Sequence, residues 1–249
     1  MQYGICHLSI VPLRNEPQHT GELSSQVLYG DHFKVLEQRK KWSKIRLAFD
    51  KYEGWIENVQ YQLIEEDLYH TIDKEPQVLS ADLVEFVYDQ QNNLIPIPLG
   101  CNIKTVSFLA ASFDGESKHG IFPKGNIIET AFLYLNTPYL WGGKTPFGID
   151  GSGLTQMVYK LNGYKLPRDA AQQSKQGEAL SFIEESEPGD LAFFDDEEGN
   201  IVHVGIIMMD NYIIHAHGKV RIDRLDHTGI FNVDSKTHTH KLRVIKKIV

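Results

Sequence analysis

The chain has 249 residues, 41% of them apolar, which is enough for one large hydrophobic core or for two or three small ones and excludes disorder as the default state. Its 25 basic residues against 33 acidic ones, with no long basic run, exclude nucleic acid and anionic membrane as the expected main partners. No apolar run approaches transmembrane length, and Cys6 and Cys101 are too few for a disulfide scaffold. With no basic leader or small-residue cleavage site at the N-terminus, these features set the expectation of a cytoplasmic protein, although a chain trimmed of a signal peptide would look the same.

From residue 3 to about residue 64 the pattern is one of short strands parted by turn residues, over 4–13, 26–29, 32–37, 42–47 and 53–57. Such spacing predicts a small β-barrel over residues 1–65. Arg39, Lys40 and Lys41, the densest basic patch, fall between two of these strands and are expected in a solvated turn. Residues 65–76 are acidic, polar and closed by Pro76, which predicts a linker. Candidate strands at 83–88, 94–99 and 103–110 then predict a second small barrel, so that linker and barrel together occupy 66–123.

A different pattern begins after Pro123 and runs over residues 124–249. Residues 127–135 are helix-like. In the segment after Asp150, the spacing of Leu154, Met157, Val158 and Leu161 predicts an amphipathic helix with Asp150 as N-cap. Strands are expected at 191–194, 202–208, 212–216 and 241–248, with a hairpin turn at 195–199. Helices followed by strands define the α+β class.

Acyl transfer by a side chain needs a nucleophile, a base within hydrogen-bond reach and a group that orients the base. His203 opens one apolar strand and His215 closes the next, so a hairpin near Asp210 and Asn211 would bring both imidazoles to one sheet face. A nucleophile in the first turn after Asp150 would face the positive end of a helix dipole. Gly151 occupies that position, and local folding gives little reason for glycine there.

Several ordered motifs carry a family resemblance: Thr137-Pro138-Tyr139-Leu140-Trp141-Gly142-Gly143, Gly148-Ile149-Asp150-Gly151-Ser152-Gly153-Leu154, Glu187-Pro188-Gly189-Asp190, His203-Val204-Gly205 and His215-Ala216-His217-Gly218. Over residues 124–249 the chain resembles the NlpC-type papain-like bacterial cysteine peptidases. Trp42 and Tyr52-Glu53-Gly54-Trp55-Ile56 resemble a bacterial SH3-like domain. The combination is similar to the γ-D-glutamyl-L-diamino acid endopeptidases of murein-peptide recycling. It implies cleavage of the γ-D-Glu to diamino acid bond in peptides with a free N-terminal L-Ala, without a cofactor.

The resemblance makes residue 151 the nucleophile position, His203 the general base and His215 the residue that orients its ring. The family pattern has Asp-Cys-Ser-Gly where this chain has Asp150-Gly151-Ser152-Gly153, so the expected thiol is missing and the chain is expected to be inactive as it stands. The residues leave open an engineered loss, a natural non-catalytic protein that binds murein peptides, and a sporadic change. Ser152 is not a replacement nucleophile, because one step along a helix turns a side chain by about 100°.

Among substrate contacts, the resemblance assigns Asp31 and Tyr52 to the free amino group and Asp150 and Ser152 to the D-Glu portion, with Tyr139 and Trp141 in the cleft. A turn at Asp31, packing of Tyr52 and helix capping by Asp150 are the structural alternatives. Arg168 and Asp169 fit either a substrate carboxylate or a local ion pair. No metal is expected, because neither His215-x-His217 nor His238-x-His240 lies in a His-Glu-x-x-His helix and no cysteine pair has zinc-finger spacing.

Overall fold

Period-two alternation builds most of the first unit, residues 1–120 with 141–146, in a computed structural model that describes residues 1–249. Seven strands, β1 (Gln2–Ile5), β2 (Ile10–Arg14), β3 (Leu23–Leu28), β4 (His32–Gln38), β5 (Trp42–Leu47), β6 (Glu53–Glu57) and β7 (Gln62–Ile64), join in the order β3-β2-β6-β5-β4-β1-β7. Val11 and Leu13 of β2 and Ser43, Ile45 and Leu47 of β5 are buried on alternate positions. The apolar ones meet Val27, Phe33, Val35 and Ile56 in one cluster. Each large side chain removed from water there contributes about 1.5–3 kcal/mol. The inward hydroxyl of Ser43 is satisfied by Asn58 Oδ1 at 2.7 Å and Tyr61 Oη at 2.9 Å. This is the SH3-like barrel region.

The single strand expected over residues 4–13 is two strands serving different neighbours. β1 pairs with β4 and β7, whereas β2 pairs with β3 and β6. Between them the chain turns at Cys6, whose N–H donates to Asp31 O and whose carbonyl accepts from Gly30 N–H, both at 2.9 Å.

The expected linker at 65–76 contains a helix, α1 (Glu66–Lys74), that buries Tyr69 and Ile72. Those two residues are three apart and share a face, Glu66 and Asp67 suit the positive end of the helix dipole, and the helix stops short of Pro76. Beyond it, β10 (Leu94–Pro98) and β11 (Ser112–Phe113) flank β9 (Val84–Tyr88), while β8 (Val78–Ser80) pairs with β12 (Ser117–His119). The strand expected over 103–110 is absent. Residues 103–105 form a single 3₁₀ turn, in which Thr105 Oγ1 donates to Asn102 O at 2.7 Å. Two small sheets therefore stand where a second barrel was expected. The returning segment 141–146 adds β13 (Lys144–Thr145).

The second unit comprises residues 121–140 and 147–249. It begins with α2 (Asn126–Phe132), β14 (Gly148–Ile149), α3 (Gly151–Leu161) and α4 (Ala170–Gln173). A seven-stranded antiparallel sheet follows, made of β15 (Glu178–Leu180), β16 (Leu191–Asp195), β17 (Ile201–Ile207), β18 (Tyr212–His217), β19 (Lys219–Leu225), β20 (Gly229–Asn232) and β21 (Thr237–Lys247). Its order is β15-β21-β16-β17-β18-β19-β20, with a further β20–β21 pairing. The α+β order holds, and β15, β19 and β20 are strands that the apolar pattern did not predict. Helix α3 packs on β17 and β18. No helix is long and apolar enough to cross a membrane.

Candidate active site

Helix α3 starts where the residue pattern places it. Asp150 is its N-cap and Oδ1 accepts the Gly153 N–H at 2.7 Å, while Leu154, Met157, Val158 and Leu161 are buried. Gly151 is the first helical residue and carries no positive φ, so its backbone suits any L-residue. A Cβ built there would lie 3.0 Å from His203 Nδ1 and 3.1 Å from Val204 O. A side chain at 151 thus points at the imidazole of His203 and needs that ring to give by a few tenths of an ångström.

His203, on β17, has its other ring nitrogen, Nε2, 3.0 Å from Nδ1 of His215 on β18. His215 Nε2 lies 3.0 Å from Oδ2 of Asp223 on β19. The Asp223 carboxylate also accepts from Arg221 Nε at 2.7 Å and Nη2 at 2.9 Å, and from the Val233 N–H at 3.1 Å.

Burial by itself raises a carboxyl pKa, but the hydrogen bonds from His215, Arg221 and Val233 prevail and hold Asp223 at about 2. Ionised, it accepts only, so His215 carries its proton on Nε2 and presents Nδ1 as an acceptor. His203 then donates from Nε2 and turns the lone pair of Nδ1 toward residue 151. Burial, followed by the neighbouring His215, pushes the His203 pKa well below its ordinary value, and burial also lowers that of His215 against the pull of Asp223. Both rings are therefore neutral near pH 7.

Gly205 is what allows the two histidines to approach. It stands opposite His215 in the β17–β18 register, and a Cβ on it would meet Ile213 Cδ1 at 2.7 Å and His215 Cβ at 2.9 Å.

The structure brings Gly151, His203 and His215 together and adds Asp223, which residue spacing did not reveal. Three charged residues separated by one apolar position, Arg221-Ile222-Asp223-Arg224, look like a solvated face, yet Asp223 is fully buried. Arg168 forms a local ion pair, one of the two readings its sequence left open. It is 1% exposed and pairs with Asp150, eighteen residues earlier, through Nη1–Oδ1 at 3.0 Å and Nη2–Oδ2 at 2.6 Å. Nη1 further donates to Ser152 Oγ at 2.9 Å. The N-cap carboxylate, the buried Arg168 guanidinium and the partly buried Ser152 thus belong to one cluster.

Tyr139 is 40% exposed, and its N–H donates to Gly218 O at 3.0 Å. Partial burial and the nearby Asp150 carboxylate raise its hydroxyl pKa. In the first unit, Trp141 donates its indole N–H to Glu22 Oε1 at 2.6 Å. Asp31, also there, is buried with Oδ2 accepting the Leu28 N–H at 2.9 Å, and Tyr52 packs against the barrel core. The Arg39 guanidinium lies over the Trp55 ring at 4.4 Å.

A helix N-terminus set against a strand-borne histidine, itself backed by a second ring, is the layout of the papain-like peptidase class. The chain belongs to the NlpC/P60 family of peptidoglycan hydrolases. The NlpC/P60 family pattern matches residues 136–238, and the bacterial dipeptidyl-peptidase SH3 domain pattern matches residues 13–60. The γ-D-glutamyl-L-lysine dipeptidyl-peptidase of Bacillus subtilis is 31% identical over 222 residues, covering 78% of this chain and 72% of that one. Dipeptidyl-peptidase 6 of Lysinibacillus sphaericus is 26% identical over 248 residues, covering 85% and 87%. The crystal structure of an NlpC/P60 family protein from Bacillus cereus superposes with a TM-score of 0.77 at 19% identity, covering 99% of both chains, and so shares the fold.

Proposed function

We propose that this chain is a murein-peptide peptidase scaffold whose nucleophile position is Gly151 and which binds L-Ala-γ-D-Glu-diamino acid peptides without cleaving them. In a chain with cysteine at 151, His203 would be the general base and His215 its orienting partner, and the bond cut would be that between γ-D-Glu and the diamino acid. The Bacillus subtilis relative is named a γ-D-glutamyl-L-lysine dipeptidyl-peptidase and the Lysinibacillus one a dipeptidyl-peptidase, which supports this reading.

The observation that carries this reading is the approach of a Cβ at 151 to within 3.0 Å of His203 Nδ1, at the N-terminus of a buried helix. Glycine has no side-chain atom with which to attack a carbonyl, while His203 is hydrogen-bonded to His215 and His215 to Asp223, which supports the roles assigned to the two rings. Asp150, Ser152 and Tyr139 are assigned to the peptide beside that position. The assignment of Asp31 and Tyr52 to the free amino group rests on the family resemblance. A cytoplasmic site of action, on peptides recovered from the wall, completes the proposal.

The test pairs calorimetry with mass spectrometry on L-Ala-γ-D-Glu-L-Lys and its diaminopimelate counterpart. The chain as it stands is expected to bind at least one peptide and leave it intact, and Gly151→Cys to release L-Ala-γ-D-Glu. Cleavage by the unaltered chain, or a folded Gly151→Cys protein that cleaves neither peptide, overturns the proposal.

A further inference from the structure

Four histidines from three strands crowd one place in the second unit. The His240 ring, on β21, is stacked on that of His203 with centroids 4.2 Å apart, and His217 lies 5.0 Å from His240. One ring nitrogen from each of His203, His215 and His240 lies within 4.8 Å of the other two. Neither His-x-His pair in the sequence contains this set, because it is assembled across strands. Phe194 of β16 stands opposite both His203 and Leu242 in the sheet register, which carries His240 of β21 to the β17 histidine.

We propose that His203, His215 and His240 form a binding site for a divalent transition metal ion, best suited to Zn²⁺. Zinc–imidazole bonds of about 2.0–2.1 Å in a tetrahedral shell place two ligand nitrogens roughly 3.4 Å apart. His203 Nε2 and His215 Nδ1 already stand 3.0 Å apart and hold this spacing from within a sheet. Zinc-ligating histidines commonly give their second ring nitrogen to a carboxylate, which fixes the tautomer and makes the ligand nitrogen more basic. His215 does so through Nε2 to the fully buried Asp223 at 3.0 Å. His240 is only partly buried, with its Nδ1 2.8 Å from Thr239 Oγ1, and it would turn from its stacked position on His203 to serve as the third ligand. A fourth position is left for water, and three neutral imidazoles suit zinc better than magnesium or calcium.

The site shares two side chains with the proposed catalytic arrangement but does not rest on it, because metal capture needs no atom at residue 151. Metal bound there would replace the His203–His215 hydrogen bond.

The experiment uses the full chain with Gly151 in place, stripped with chelator and titrated with Zn²⁺ by calorimetry and with Co²⁺ by visible absorption. One equivalent is expected to bind with micromolar or tighter affinity, and His240→Ala to weaken binding at least tenfold. His238→Ala, whose imidazole bonds Asp226 at 2.8 Å, is expected to leave affinity unchanged. Nitrogen-15 spectra of the histidine rings give a second measurement on the unaltered chain: Zn²⁺ should shift His203, His215 and His240 and spare His238. Absence of saturable binding, an affinity untouched by His240→Ala, or shifts confined to other histidines would overturn the assignment.

Discussion

His215 and Asp223 are joined by a 3.0 Å contact between two fully buried side chains, and that contact sets the direction of the hydrogen-bond chain ending at His203. Asp223→Asn puts an amide where the chain needs an acceptor and leaves Arg221 with only the exposed Asp234 carboxylate, 2.8 Å from Nη2, as a charged partner. Breaking a buried ion pair on one side costs about 3 kcal/mol, readable by urea unfolding. In the Gly151→Cys background the same change should lower peptide turnover about 100-fold or more, the scale of a misdirected general base. Unchanged turnover in a destabilised protein would reduce Asp223 to a strand tie.

A cysteine at 151 should also differ from the two natural ones. Cys6 and Cys101 are buried, and burial pushes the Cys6 thiol up to about 12. A group with that pKa stays protonated up to pH 11, so the native chain should leave Ellman's reagent unreacted at pH 8 and expose both thiols in urea. Gly151→Cys should add one thiol, at a helix N-terminus beside an imidazole, where thiol pKa values fall from about 8.5 into the range of about 3.5–7.5. Its iodoacetamide rate at pH 6 should exceed that of free cysteine about tenfold or more. Adding His203→Ala should remove most of the excess. An ordinary rate with His203 intact would place the side chain at 151 away from the ring.

Arg168 is enclosed, 1% exposed, and spans Asp150 and Ser152. Arg168→Ala would leave the N-cap carboxylate buried without its counter-charge, and a loss of about 3–5 kcal/mol is expected from thermal or denaturant unfolding. Arg168→Lys keeps the charge but loses the two-pronged geometry, and should fall between Ala and the natural chain. Equal stabilities for all three would mean that solvent reaches Asp150.

Gly205→Ala puts a methyl 2.9 Å from His215 Cβ and 2.7 Å from Ile213 Cδ1. Overpacking of this kind costs about 1–3 kcal/mol. The displaced His215 ring should report it as a shifted imidazole resonance and, with Gly151→Cys, as reduced turnover at unchanged peptide affinity. A neutral effect on all three would show that β17 and β18 separate easily.

Much of the site is legible in residue order because it depends on local rules. Apolar spacing and a capping Asp150 place α3 and put residue 151 in its first turn, and two apolar strands joined by a tight hairpin bring His203 beside His215. Local periodicity also delimits β4, β5, β6, β9 and β10 of the first unit. It fails where a short apolar run is shared by two strands, as over residues 4–13, and where Tyr69 and Ile72 are the buried residues of a helix whose other residues, apart from Leu68, are polar.

What only the tertiary structure decided is which distant groups neutralise one another. Asp223 bonded to His215, Arg168 on Asp150 and His240 against His203 come from separate segments, and alternation along a strand says which face a side chain takes but not which strand lies beside it. Burial then makes those pairings energetically decisive. Inside the sheet an unpartnered charge or ring nitrogen is costly, so the partners that satisfy it set the protonation of His203, the residue that faces the empty position at Gly151.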